Sequence, residues 1–244
     1  PGVGIDGAIV SFEKSAPAFS SYGKMQSYNA PCSITATRAY SRALQFLVNH
    51  TDHHIRVGET KLCFWVREHE QMTSLFARLL NAPEPQGVAK FLQQPFTGIS
   101  RDLAHRDKFY AVTLAGNAGR IVVRHWVQVP LDDAIENFRQ WFADLELTVP
   151  SRPLAKSKAT GEKKEFHPLS VYWLARTTVR EAKDLPSGVP AQLYRAALEG
   201  TAPSISLLKP MLDQLHSRLV RDEHYNLLFD ESRFALLKLI LNRN

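Results

Sequence analysis

Two runs of strand-forming residues, Phe109 to Ala115 and Arg120 to Val129, are separated only by Gly116-Asn117-Ala118-Gly119. Two glycines and an asparagine suit a tight reversal of the chain, so the runs predict a hairpin. This pair commits any fold of the chain to antiparallel pairing. A second pair, Ile55-Arg56-Val57 and Lys61 to Val66, flanks Gly58-Glu59, where glycine supplies a backbone angle costly for other residues. Ala8-Ile9-Val10 adds a short strand signal near the start.

Helical periodicity surrounds these strands. Ser33 is a capping residue, and Ala39, Tyr40, Ala43, Leu44, Phe46, Leu47 and Val48 form a broad apolar stripe that should end by Thr51-Asp52. A helix is predicted near Met72 to Leu80, followed by a stretch punctuated by Pro83, Pro85 and Pro95. Pro130 closes the last strand, and Ile135, Phe138, Trp141, Phe142 and Leu145 mark a helix from about Leu131 to Glu146. The class expected for residues 1–148 is α+β, a mostly antiparallel sheet with covering helices.

The texture then changes. Residues 149–167 read as a basic linker, densest at Lys156, Lys158, Lys163 and Lys164, which either touch phosphates of a nucleic acid or form a plain solvated connector, and residues 168–244 as an all-helical second domain. Val171, Trp173, Leu174 and Val179 fit one helix, Ala191 to Leu198 another, and Leu207, Leu208, Met211, Leu212, Leu215 and Leu219 a third. The last helix, Glu231 to about Asn242, carries apolar residues around most of its circumference and needs cover on more than one side.

Charge narrows the function. The formal net charge is +6 and the pI about 9.4, which favours a polyanionic partner. Through Pro150 there are 15 basic and 14 acidic residues, and from Ser151 onward 15 and 10, so the excess lies in the second part. Cys32 and Cys63 give neither a disulfide framework nor a metal knuckle. No apolar run approaches the roughly 18 to 20 residues of a membrane helix, and the start has no signal-peptide pattern. The expectation is a cytoplasmic protein without a membrane partner.

Catalytic patterns fail on context. Gly2-Val3-Gly4-Ile5-Asp6-Gly7 spells a dinucleotide fingerprint, but a strand rather than a helix follows it. His50, His53 and His54 crowd a helix end, where the dipole favours them without a metal. No G-x-S-x-G elbow is present, and Asp132-Asp133 suit a helix N-terminus. Neither a cofactor nor a catalytic residue is nominated.

Nucleic-acid contact survives this filter. Trp65, Tyr110 and Trp126 can stack bases if they face outward, with Arg56, Arg67, Arg120 and Arg124 beside them for phosphates. Phe64-Trp65 and Phe109-Tyr110 must split between sheet faces, one of each toward the core. The long loop Ser11 to Ser33 offers Lys24, Gln26 and Asn29 as contacts, although Asn29 and Gln26 serve equally well as internal loop bonds. Arg176 and Arg180, spaced i and i+4 and followed by Lys183, would share one helical face that tracks a phosphate backbone or pairs with Glu181 and Asp184.

The loop also carries a resemblance. Ser11-Phe12, Ala18-Phe19, Ser21-Tyr22-Gly23-Lys24-Met25-Gln26 and Asn29-Ala30-Pro31-Cys32-Ser33 resemble the central part of the large subunit of the type I-C CRISPR Cascade surveillance complex. The likeness continues at Gly58-Glu59-Thr60, Phe64-Trp65, Phe109-Tyr110, Gly116 to Arg120 and Leu237 to Asn244. What this resemblance implies is a non-enzymatic part of a ribonucleoprotein for antiviral defence, binding guide RNA and target DNA, touching other Cascade subunits and presenting DNA to a recruited nuclease-helicase. Members of that family are longer, so a fragment is expected, and motif reading is not assigned to it. The rival classes are a protein–protein scaffold and an enzyme acting on nucleotides.

Overall fold

A computed structural model describes residues 23–24, 26–117, 120–147, 169–221 and 230–244. Four antiparallel strands stand in sequence order: β1 (His54–Val57), β2 (Thr60–Val66), β3 (Lys108–Asn117) and β4 (Arg120–Pro130). Both expected hairpins are present, with Gly58 at φ 58° between β1 and β2. Helices α1 (Ile34–Asn49), α2 (Glu70–Asn81), α3 (Pro85–Gln93), α4 (Arg101–Arg106) and α5 (Leu131–Leu145) accompany the sheet. Among the described residues that follow are α6 (Val171–Arg176), α7 (Gly188–Glu199), α8 (Leu208–Arg221) and α9 (Asp230–Arg243), so the chain is α+β with a mostly helical C-terminal part.

Local chemistry explains most boundaries. The Ser33 hydroxyl accepts from the Ala36 amide at 3.1 Å and caps α1. Asp132 and Asp133 occupy the first turn of α5, where Asp132 Oδ2 lies 3.0 Å from His105 Nδ1. The proline-punctuated stretch is not a plain loop. Pro85 is the first helical residue of α3, where a missing amide hydrogen costs no intrahelical bond.

Alternation divides the sheet. Ile55, Val57, Leu62, Phe64, Phe109, Ala111 and Val127 face a core completed by Phe76 from α2 and by Ile135, Phe138 and Phe142 from α5. The rings of Phe76 and Phe138 stack at 4.6 Å, and Phe109 meets Phe76 edge-on at 5.3 Å. Leu174, Leu193, Tyr194, Leu236 and Leu239 from the later helices join this same core. Polar bonds fasten them to α5 and its end: Asn137 Nδ2 donates to the Leu198 carbonyl at 2.8 Å and Lys238 Nζ to that of Glu146 at 2.5 Å.

Two expectations for the helical part change. The helix expected through Val179 stops at Arg176, because the Thr177 and Thr178 hydroxyls donate back to the Leu174 and Ala175 carbonyls at 2.7 and 2.8 Å and the chain turns. The last helix buries Arg233, Ala235, Leu236, Leu239 and Ile240, whereas Phe234 and Leu241 remain 46% and 59% exposed. Among the described residues it is covered on one side.

Candidate nucleic-acid interface

The second face of the sheet is built by the other half of the alternation: Lys61, Cys63 and Trp65 on β2, Lys108, Tyr110, Val112 and Leu114 on β3. Opposite them, β4 contributes Ile121, Val123, Trp126 and Gln128, with a register shift at Thr113/Leu114 that inserts Arg124 as an extra residue. The shift lets both Val123 and Trp126 lie on this face, 54% and 53% exposed. Trp65 and Tyr110 are directly paired across β2 and β3, their ring planes within 10° and their centroids 5.3 Å apart. Trp126 stands against both, 5.8 Å from Trp65 and 6.4 Å from Tyr110. As alternation requires, Phe64 and Phe109 are buried on the other side.

Part of this face is roofed by α1. Its Leu44, Leu47 and Val48 pack on Cys63, Val112 and Leu114, yet none of the helix's residues is fully buried. The C-terminal end of α1 is held by polar bonds. Lys61 Nζ donates to the Val48 carbonyl at 3.1 Å, and His54 Nδ1 donates to those of His50 and Leu47 at 2.8 and 3.2 Å. Burial, with Lys61 adding to it, holds the His54 imidazole below its usual pKa, and burial pushes the Cys63 thiol up to about 12.

The strand residues on this side carry charge of one sign, and the carboxylates beside them lie in the flanking turns. The strands carry Arg56, Lys61 and Lys108 on this face, Arg67 follows β2, and no strand residue here is acidic. Arg67 reaches Glu68 at 2.5 Å, and Arg56 lies 3.9 Å from Glu59 in the turn. Arg38 and Arg42 on α1 and Lys108 on β3 are exposed and form no ion pair with any described residue. The sequence signal for the first two is an interval without a single carboxylate, from Lys14 to Thr51. Sequence reasoning passed over Arg38, Arg42 and Lys108, because a solvent-facing cation acquires meaning only once its surroundings lack acids.

The residues expected to contact nucleic acid are distributed differently. Lys24 is exposed, and Asn29 Nδ2 donates to its carbonyl at 2.8 Å, which closes the loop on itself. Gln26 opens the short 3-10 turn Gln26–Asn29. The shared face of Arg176 and Arg180 does not form, because the helix ends at Arg176, whose Nη1 and Nη2 donate to the Val179 and Arg180 carbonyls at 3.4 and 3.3 Å. Lys183 Nζ meets Glu181 Oε2 at 2.8 Å. Arg124 Nη2 donates to the Ser187 hydroxyl at 3.3 Å. Lys156, Lys158, Lys163 and Lys164 lie outside the described residues, as do Ala8-Ile9-Val10 and the G-x-G-x-x-G run.

Among the described residues no group of three His, Cys, Asp or Glu side chains is placed to hold a metal ion, and no helix is long and apolar enough to cross a membrane. A cleft lined by Gln192, Arg195, Thr201 and Ser204 contains one charged group, Arg195, already bonded to Glu199 at 2.8 Å. No curated protein matches the chain. A family model described as CRISPR-associated protein (Cas_Csd1) matches residues 4–244, nearly the whole sequence. The chain therefore belongs to the CRISPR-associated Cas_Csd1 family, the large-subunit family of the type I-C surveillance complex that its motifs resemble.

Proposed function

We propose that this chain is a non-catalytic, nucleic-acid-binding part of an RNA-guided surveillance complex, contributing to complex assembly and target DNA binding. The observation that carries this reading is the trio Arg38, Arg42 and Lys108, exposed cations without an ion pair to any described residue, on the side of a sheet whose strands bear no carboxylate. Cations left unneutralised raise the potential above that surface and draw in a polyanion. Family membership supports CRISPR partners, and on this reading they are guide RNA, target DNA, the other Cascade subunits and a recruited nuclease-helicase. On the same reading Lys24, Lys156, Lys158, Lys163 and Lys164 add phosphate contacts through their charge. Phosphate pairing of this kind positions a strand without reading its sequence.

Affinity should fall linearly on logarithmic axes as salt rises, with a slope of about 0.9 per neutralised phosphate on duplex DNA and about 0.7 on a single strand. Replacing Arg38, Arg42 and Lys108 together by Ala should weaken binding on every sequence and reduce the duplex slope by about 2 to 3. Absence of binding at low salt, or a slope the triple variant does not change, overturns the reading. The protein–protein scaffold is the alternative, and exposed Phe234 and Leu241 on α9 favour it.

A further inference from the structure

We propose that Trp65, Tyr110 and Trp126 form a platform on which unpaired bases of a single-stranded nucleic acid stack, a reading that rests on the nucleic-acid function above and names the form of polymer bound. Large rings on an open sheet face are ordinarily either roofed or used. Here α1 roofs Cys63, Val112 and Leu114, while Trp126 keeps half its surface in solvent. The near-parallel Trp65–Tyr110 pair braces the group, so a stacking partner meets rings already ordered and little side-chain freedom is lost on binding.

The cations have matching positions. Lys108, which forms no ion pair with a described residue, lies two residues before Tyr110 on the same face, and beside it Arg67, bonded to Glu68, lies two residues after Trp65. A two-residue step along a strand is about 7 Å, the scale of a nucleotide, so a base on the rings leaves its phosphate near a positive head group. With Glu59 and Glu68 already taken up by Arg56 and Arg67, a protein partner would have to bring its own carboxylates to Lys108, whereas a nucleic-acid strand supplies anion and aromatic plane in every repeat. Duplex DNA supplies only the anion, because its base faces are occupied by each other. Bases are bound without regard to identity, since every base has a π face.

The test is equilibrium binding of the 244-residue chain to a mixed-sequence twelve-nucleotide DNA strand, the same sequence as RNA, and the duplex, all at low salt. Trp126→Ala and Tyr110→Ala are each expected to weaken single-strand binding about tenfold, with duplex affinity and salt slope unchanged, while Trp126→Phe retains most of the affinity. Single strands should also quench the intrinsic tryptophan fluorescence, and Trp126→Phe should abolish much of that quench. Circular dichroism of each variant establishes that it is folded, and the fluorescence of the Phe variant keeps the test decisive if an Ala variant is not. The DNA and RNA arms show which strand is preferred, and binding of either supports the platform. If the parent chain binds single strands but the ring variants bind equally well, or lose duplex and single strand alike, the platform is overturned and the charge reading stands. If the parent chain binds none of the three polymers, the charge reading itself has failed.

Discussion

At Asp107 four donors converge on one carboxylate whose side chain is 1% exposed. Its Oδ2 accepts from His69 Nδ1 at 2.8 Å and from the amides of Glu68 and His69, and its Oδ1 accepts from the Lys108 amide at 2.7 Å. The backbone carbonyl of the same residue accepts from Leu131 at the start of α5. One residue thus ties the segment after β2, the start of β3 and the first turn of α5, next to Lys108. Burial pushes the carboxyl up, but the bonds from His69, Lys108 and Glu68 outweigh it and hold the group below its ordinary pKa. With a folded pKa below the unfolded one, the stabilisation is complete above the unfolded value near 4 and disappears as pH falls through the folded value. Asp107→Asn should cost about 2 kcal/mol in urea unfolding at pH 7 and should flatten the loss of stability below pH ~4. An unchanged acid limb in the variant would show that Asp107 is not the group responsible.

Helix α1 has no fully buried residue, and it is held to the sheet by Leu44, Leu47 and Val48, by the ring contact of Phe46 with His53 and by the carbonyl bonds of Lys61 and His54. Cys63 beneath it reports on the seating of the helix, since burial keeps its thiol protonated at pH 8. In a Cys32→Ser background, Cys63 should react slowly with a thiol reagent, and Lys61→Met should accelerate it roughly tenfold by removing a bond worth about 1.5 kcal/mol. Equal rates would mean that Lys61 does not hold the helix down. The boundaries of this element are legible in the sequence, because Ser33 caps through its own neighbours. The same holds for both hairpins and for Pro130 before α5, where turn chemistry is local. The early stop of α6 is not legible: two threonine hydroxyls compete with the backbone, and the i and i+4 spacing of Arg176 and Arg180 gives no sign of it. For the aromatic platform the sequence supplies the residue types and the two-face alternation. Which rings meet depends on the alignment of three strands and the extra residue at Arg124, and that alignment is long-range information.

For the molecule as a whole, the decisive feature is a core that draws on both ends of the described chain. Phe138 lies between rings of the sheet and α2, while its helix packs on α7 and α9. Phe138→Ala should therefore cost roughly 3–5 kcal/mol. It should lower one common transition followed by far-ultraviolet dichroism and tryptophan fluorescence alike. Two separated transitions, only one of them shifted, would show that the helices hold together without the sheet. Leu147 and Leu169, on either side of the lysine-rich stretch, both pack against this core. Covalent continuity between them is accordingly not what keeps the two portions in register: a protease cut among those lysines would leave a nicked particle rather than two products, and the halves supplied as separate polypeptides should find each other and reassemble.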